Sequence, residues 1–383
     1  MNSKKMIYAD WAATASLHPK AKAELGRWLE EAGPANPSSV HSYGMAAADR
    51  LTAARKTITD AAGWDGEITF VSGGTEGLAL AVHTLVRRSV ESGKRRVILS
   101  PLEHPAVREA VHAFALPAGM TIETCNVTPD GTVDPADLAA RLRDDVGFCA
   151  VMTVQNETGV IQPVQKCAQL AHARGAFFLT DAVQAAGHLP LPANADMLVI
   201  SGHKFGAPAG TGALLHRIPL SPLQKGGGQE RGGRGGTENL PGICAMAAAA
   251  SAWTEPNSNP WMAPLRDTLE TELTCRMAEH GMTIRILGQH SRRIDSVSSI
   301  LFPAGLLGET LVLACDLSGL AISAGSACHS DSPAPSPSLL AMGFSPAEAV
   351  RVVRLSFGFG TTPAEMEAAY RILGDTALRL WRK

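Results

Sequence analysis

The chain has 383 residues, 45% of them hydrophobic, and a formal net charge of -2 from 34 basic and 36 acidic residues. That length supplies a large core and points to two domains, while the balanced charge offers no single-sign field for nucleic acid or an anionic membrane. The N-terminal "MNSKKMIYADWAATASL" lacks a continuous apolar signal region, "CAMAAAASAW" is far short of a membrane span, and the seven cysteines form no CxxC pair; a cytoplasmic protein with reduced thiols and no bound metal is expected.

Taken in chain order, short apolar runs alternate with helical periodicity. "EITFVSG" precedes "TEGLALAVHTLVRRSVES", and "RRVILSP" precedes "EHPAVREAVHAFAL". "GFCAVMTVQ", "AFFLTDA" and "DMLVISG" follow, with helical or looped segments between them. Continuous Val/Ile/Leu-rich strands separated by helices predict a mainly parallel α/β sheet covered on both faces. At "TEPNSNPWMAP", residues 254–264, the composition turns to Pro and Asn. A large domain over residues 15–255 and a smaller α/β domain over 256–383, joined by 1–14, are expected. In the second part "TIRILG" and "SVSSILF" predict strands, and a last helix runs from about Pro363 to Trp381. No period of 20 to 50 residues recurs, which excludes a repeat array.

In such sheets ligands bind beyond the carboxyl ends of the strands. Asp181 ends "FFLTD", and Lys204 follows "MLVISGH". A lone loop lysine is usually just solvated. Here a third feature joins the pair: "SGGTEG", residues 72–77, lies between a strand and a helix. Gly74 and Thr75 place free N–H groups and a hydroxyl at a helix N-terminus, which favours an anion. A lysine for a Schiff base, a carboxylate for a pyridine nitrogen and a phosphate cradle are the three requirements of pyridoxal phosphate enzymes.

Cys328 stands in "SAGSACHSDSPAPSPS", among small residues and alternating prolines. Free cysteines are usually buried, and nothing in this stretch looks able to bury one. The plain reading is a linker that happens to hold a thiol. The alternating prolines predict an extended arm after it.

"SGGTEG", "EHPAV", "QNETGV", "DAVQAAGHLPL", "SGHKFGAPAGTGALL", "GGGQERGGRGGTEN" and "SAGSACHSD" together resemble the pyridoxal phosphate-dependent cysteine desulfurases. These are class V aminotransferases of fold type I, and the likeness runs from "YADWAATA" to "RLSFG". The long segment from Cys328 to Gly343 is similar to the NifS/IscS subgroup. The resemblance implies that Lys204 carries the cofactor and moves protons at Cα. Asp181 would pair with the ring nitrogen and Gln184 with the ring hydroxyl. His104 would stack on the ring and serve as acid or base, although it could also merely cap a helix. Gly74, Thr75, Ser201 and His203 would hold the phosphate, with Thr237 reaching in from the second subunit of a homodimer. His203 could instead be a packed core histidine. Asn156 and Arg354 would bind the carboxylate of L-cysteine, with a turn and a structural ion pair as their plainer roles. Cys328 would take the sulfur and pass it to an acceptor protein, such as an iron–sulfur scaffold. "RGGRGG", residues 231–236, superficially matches an RNA-binding repeat, but only two units occur and no aromatic interleaves them. Selenocysteine lyase or another class V enzyme is the alternative activity. Trp11 stands where this family usually has Asn. Trp11, Glu157 and His329 receive no role from the sequence.

Overall fold

A computed structural model describes residues 6–31, 33, 36–255, 259–325 and 335–381. Cys328 and His329 lie outside the described residues. A seven-stranded sheet runs in the order Glu67–Val71, Gly212–His216, Met197–Ser201, Phe177–Asp181, Val146–Ala150, Arg96–Leu99, Thr121–Thr124. All neighbours pair parallel except Gly212–His216, which is antiparallel to both of its partners.

Burial on both faces explains the continuous apolar strands. Along Met197–Ser201, Leu198 and Ile200 join a core with Leu51, Ile58 and Ile243, while Met197 and Val199 join another with Leu78, Val82 and Leu85. Alternate side chains point to opposite faces, so every position meets a helix. Helix Gly74–Glu91 buries Leu78, Ala81, Val82 and Leu85, the i, i+3, i+4, i+7 stripe of a packed helix. Each such leucine stabilises the fold by roughly 1.5–3 kcal/mol.

A four-stranded antiparallel sheet follows, in the order Ser323–Ala324, Val352–Ser356, Val297–Leu301, Arg285–Ile286. "TIRILG" thus yields only a two-residue strand at its centre. Helices Met262–Glu279 and Pro363–Trp381 share one apolar cluster with this sheet through Leu273, Met277, Leu373 and Ala377. The last helix opens on a capping box: Thr362 Oγ1 accepts from Glu365 N–H, and the Glu365 carboxylate accepts from Thr362 N–H. Pro337 does not belong to the extended arm expected after Cys328, because Pro337–Ala341 is helical with Ser336 as its N-cap; residues 326–334 lie outside the described residues. Proline at the first helical position suits a helix start. Among the described residues no helix is long and apolar enough to cross a membrane.

The N-terminal segment is stitched between the sheets. Ala12 N–H donates to Ser356 Oγ (2.9 Å) and Ala15 N–H to the His203 carbonyl (2.7 Å). Trp11 anchors it: its indole N–H donates to the Tyr8 carbonyl and its ring meets Phe359 edge-on at 5.0 Å.

Candidate active site

Five turns at the carboxyl ends of the parallel strands, or of the strand beside them, converge on a cavity of about 330 Å³. It is lined by Gly74, Thr75, His104, Asn156, Asp181, Gln184, Ser201, His203, Lys204 and Arg354. Asp181 ends one strand and Ser201 the next. A single 3-10 turn, Gly202–Lys204, then lifts Lys204 over the strand ends. Only glycine fits at 202: a Cβ there would sit 2.3 Å from Thr211 Oγ1.

Lys204 Nζ donates to the carbonyls of Ala12 and Ala13, both at 2.8 Å. Gln184 Nε2 donates to the same Ala12 carbonyl at 2.9 Å. The N-terminal segment therefore forms one wall of the site. His203 Nδ1 lies 3.3 Å from Thr14 Oγ1. Burial and the Lys204 ammonium push His203 down to about 4, so it is neutral at physiological pH.

His104 does two things at once. It caps helix Pro105–Ala115, its Nδ1 accepting from Ala106 N–H at 3.1 Å, and it lines the cavity. Accepting at Nδ1 fixes the neutral ring proton on Nε2. Burial, then Lys204 and Arg108, push its pKa down to about 4.

Asp181 is 5% exposed. Its Oδ1 accepts from Val183 N–H at 2.9 Å, and burial raises its pKa to about 6. Arg354 is 8% exposed and donates to Asp10 Oδ1 (2.8 Å) and to the Asn156 carbonyl (2.7 Å). The ion pair with Asp10 and a place on the cavity wall thus coexist. Arg354 Nε is buried with no hydrogen-bond partner among the described residues. Thr237 is exposed and does not line this cavity.

The sequence missed three residues. Glu103 lines the cavity, 1% exposed, its Oε1 accepting from Met152 N–H at 2.6 Å and its Oε2 buried without a partner among the described residues. Burial, then the Asp181 carboxylate, raise its pKa to about 8. Glu157 and Arg108 line the cavity as well. A glutamate directly before a histidine that follows a strand was the available signal for Glu103.

A carboxyl with a raised folded pKa favours folding at low pH, and that advantage is lost as pH rises through the folded value. For Glu103 the loss runs from about 4.5 to about 8. Glu103→Gln is therefore expected to gain thermal stability over the parent progressively between those pH values, by about 5 kcal/mol at most. Thermal midpoints across the pH series measure this; a constant difference between the two proteins would contradict it.

The aminotransferase class-V family matches residues 7–368. A cysteine desulfurase of Cereibacter sphaeroides is 36% identical over 375 residues, 96% of this chain and 94% of the relative. The cysteine desulfurase IscS of Dictyoglomus turgidum is 35% identical over 378 residues, 97% of this chain and 94% of the relative. The solved structure of a NifS-like protein superposes with a TM-score of 0.86 at 27% identity, covering 97% of this chain and 98% of that one. With a match that spans nearly all of its length and a site built at the strand ends of the same architecture, the chain belongs to the class-V aminotransferase family.

Proposed function

We propose that the chain is a pyridoxal phosphate-dependent cysteine desulfurase. It converts L-cysteine to L-alanine and delivers the sulfur to Cys328 and then to an acceptor. The observation that carries this reading is the meeting of Lys204, Asp181 and the Gly74–Thr75 helix start in one cavity. The relatives named cysteine desulfurase support the substrate.

The donor set fits the cofactor. Asp181 is a buried carboxylate suited to a protonated ring nitrogen. The N-terminus of helix Gly74–Glu91, with Thr75, Ser201 and His203, suits a phosphate. A Cβ at Gly74 would stand 3.0 Å from Val183 Cγ2 and 3.5 Å from Ser201 Cβ, crowding this corner. When bound, pyridoxal phosphate supplies an electron sink for the pair left at Cα.

The chain's own residues do the rest. Lys204 Nζ holds the cofactor, then takes the Cα proton and returns it. Asn156 and Arg354 orient the substrate carboxylate, the guanidinium being a bidentate fork already aimed by Asp10. The wall from Ala12 to Ala13 and the His104 ring exclude water. Overall the Cys328 thiol and L-cysteine give a Cys328 persulfide and L-alanine. The C–S bond of the substrate breaks, an S–S bond forms, and the carbon that loses sulfur gains the thiol proton.

Thr237 serves the second site of a homodimer, consistent with its position away from the cavity of its own chain. The acceptor is a thiol-bearing protein such as an iron–sulfur scaffold. The chain divides near residues 254–264 into a large cofactor-binding domain and a small domain that carries Cys328.

Purified protein supplied with the cofactor, L-cysteine and a reducing thiol should release alanine and sulfide in equal amounts. A keto acid in their place would indicate an aminotransferase, and no product with L-cysteine but product with L-selenocysteine a selenocysteine lyase.

A further inference from the structure

We propose that Glu157 is the proton acceptor for thiol chemistry in this cavity. The proposal rests on the desulfurase reading above. That reaction needs a thiolate, because a thiol is not the nucleophile, and a free cysteine has a pKa of ~8.5.

The geometry removes the obvious candidates. His104 spends its Nδ1 lone pair on Ala106 N–H, so its neutral ring offers Nε2–H, a donor, to the cavity. Lys204 is committed to the Cα proton. His203 Nδ1 sits against Thr14 on the side proposed for the phosphate.

Glu157 remains, on the cavity wall beside Asn156. Its Oε1 accepts from Ser336 Oγ–H at 2.7 Å, across 179 residues of chain. Its Oε2 is buried and has no hydrogen-bond partner among the described residues. One oxygen is thus held by Ser336, and the other is buried near the Gln155 side chain. Ser336 is the N-cap of helix Pro337–Ala341 and also lines the cavity, as do Pro337 and Ser338. The carboxyl therefore meets Ser336, eight positions after Cys328 in the sequence.

The charged and polar groups facing it are Arg354 on its strand, Arg108 on helix Pro105–Ala115, Ser336, and Gln155 on its own segment. Burial raises its pKa to about 7, with the Ser336 hydroxyl, Arg354 and Arg108 holding it down against that rise. It can therefore take and release a proton near neutrality. In the step, the S–H bond of a thiol in the cavity breaks and an O–H bond forms on Glu157 Oε2. No oxidation state changes, and Glu157 then gives the proton up toward the substrate carbon that loses sulfur, which frees the carboxylate for the next turnover.

Glu157→Gln keeps an oxygen for Ser336 but cannot take a proton. Alanine formation should fall about 10²-fold at pH 8, and the pH–rate limb near 7 should vanish. The cofactor absorbance and its change on adding L-cysteine should persist. In infrared difference spectra, the parent should lose between pH 6 and 8 a carboxylic acid C=O band beyond the Glu103 band common to both proteins, and the variant should lack that extra band throughout. Ser336→Ala removes a hydrogen bond that lowers the Glu157 pKa, so the limb should remain and move to higher pH.

An unchanged pH–rate profile in Glu157→Gln would overturn the proposal. So would equal losses in both variants with the limb unmoved, which would make the pair a mere tether. A parent protein that forms no alanine would overturn the desulfurase reading itself, and this proposal with it.

Discussion

Lys204→Ala is expected to lower alanine formation from L-cysteine by at least about 10³-fold. In the parent, borohydride reduction should fix pyridoxal phosphate on the peptide containing Lys204; in the variant no lysine should carry it. The size of the effect follows from the double use of one amine. It would hold the cofactor over the strand ends and move the Cα proton, and among the described residues no second lysine lines the cavity. The contacts of Nζ with the Ala12 and Ala13 carbonyls show that the side chain reaches across the site. Its loss should not unfold the protein, because the turn that carries it is set by Gly202 and the sheet beneath. Fixation of the cofactor on another lysine would refute the assignment.

Asp181→Asn should lower the same rate by about 10²–10³-fold, the usual cost of losing a preorganised electrostatic group. The asparagine oxygen can still accept from Val183 N–H, so the change removes charge while keeping shape. Burial raises Asp181 to about 6, yet it is still ionised at neutral pH. Glu103 beside it, at about 8, is still protonated there. Two buried carboxyls thus divide into one anion and one neutral acid. Asp181→Asn should bind the cofactor with a shifted visible absorbance. An unchanged absorbance together with parental turnover would mean that Asp181 does not face the ring.

Much of this site was legible because strand ends announce themselves. Asp181 and Lys204 each follow a continuous apolar run, and the parallel sheet brings such ends to one edge. "SGGTEG" was legible as a helix N-terminus for the same reason. Strand Gly212–His216 was harder. It is buried on both faces, and an apolar run without alternation carries no mark of direction, so its antiparallel pairing does not show in the sequence.

The partners of the site's charges were illegible for a different reason. Asp10 meets Arg354 across 344 residues and Glu157 meets Ser336 across 179. No local pattern encodes such pairs. Arg354 in an apolar strand announced that it needed a partner, but not which one. His104 shows the opposite case: capping and cavity-lining looked like rival roles, and a single ring fills both. The composition around Cys328 singled out that thiol, while the return of the chain as a helix at Pro337 could not be told from a continued proline-rich arm.

The most direct test is one turnover with L-cysteine and no reducing thiol. A burst of alanine equal to the number of sites is expected, with a mass gain of one sulfur atom on the peptide that carries Cys328. Cys328→Ala should show neither, while keeping the visible absorbance of the bound cofactor. Alanine formed without sulfur on Cys328, or sulfur on another cysteine, would contradict the account.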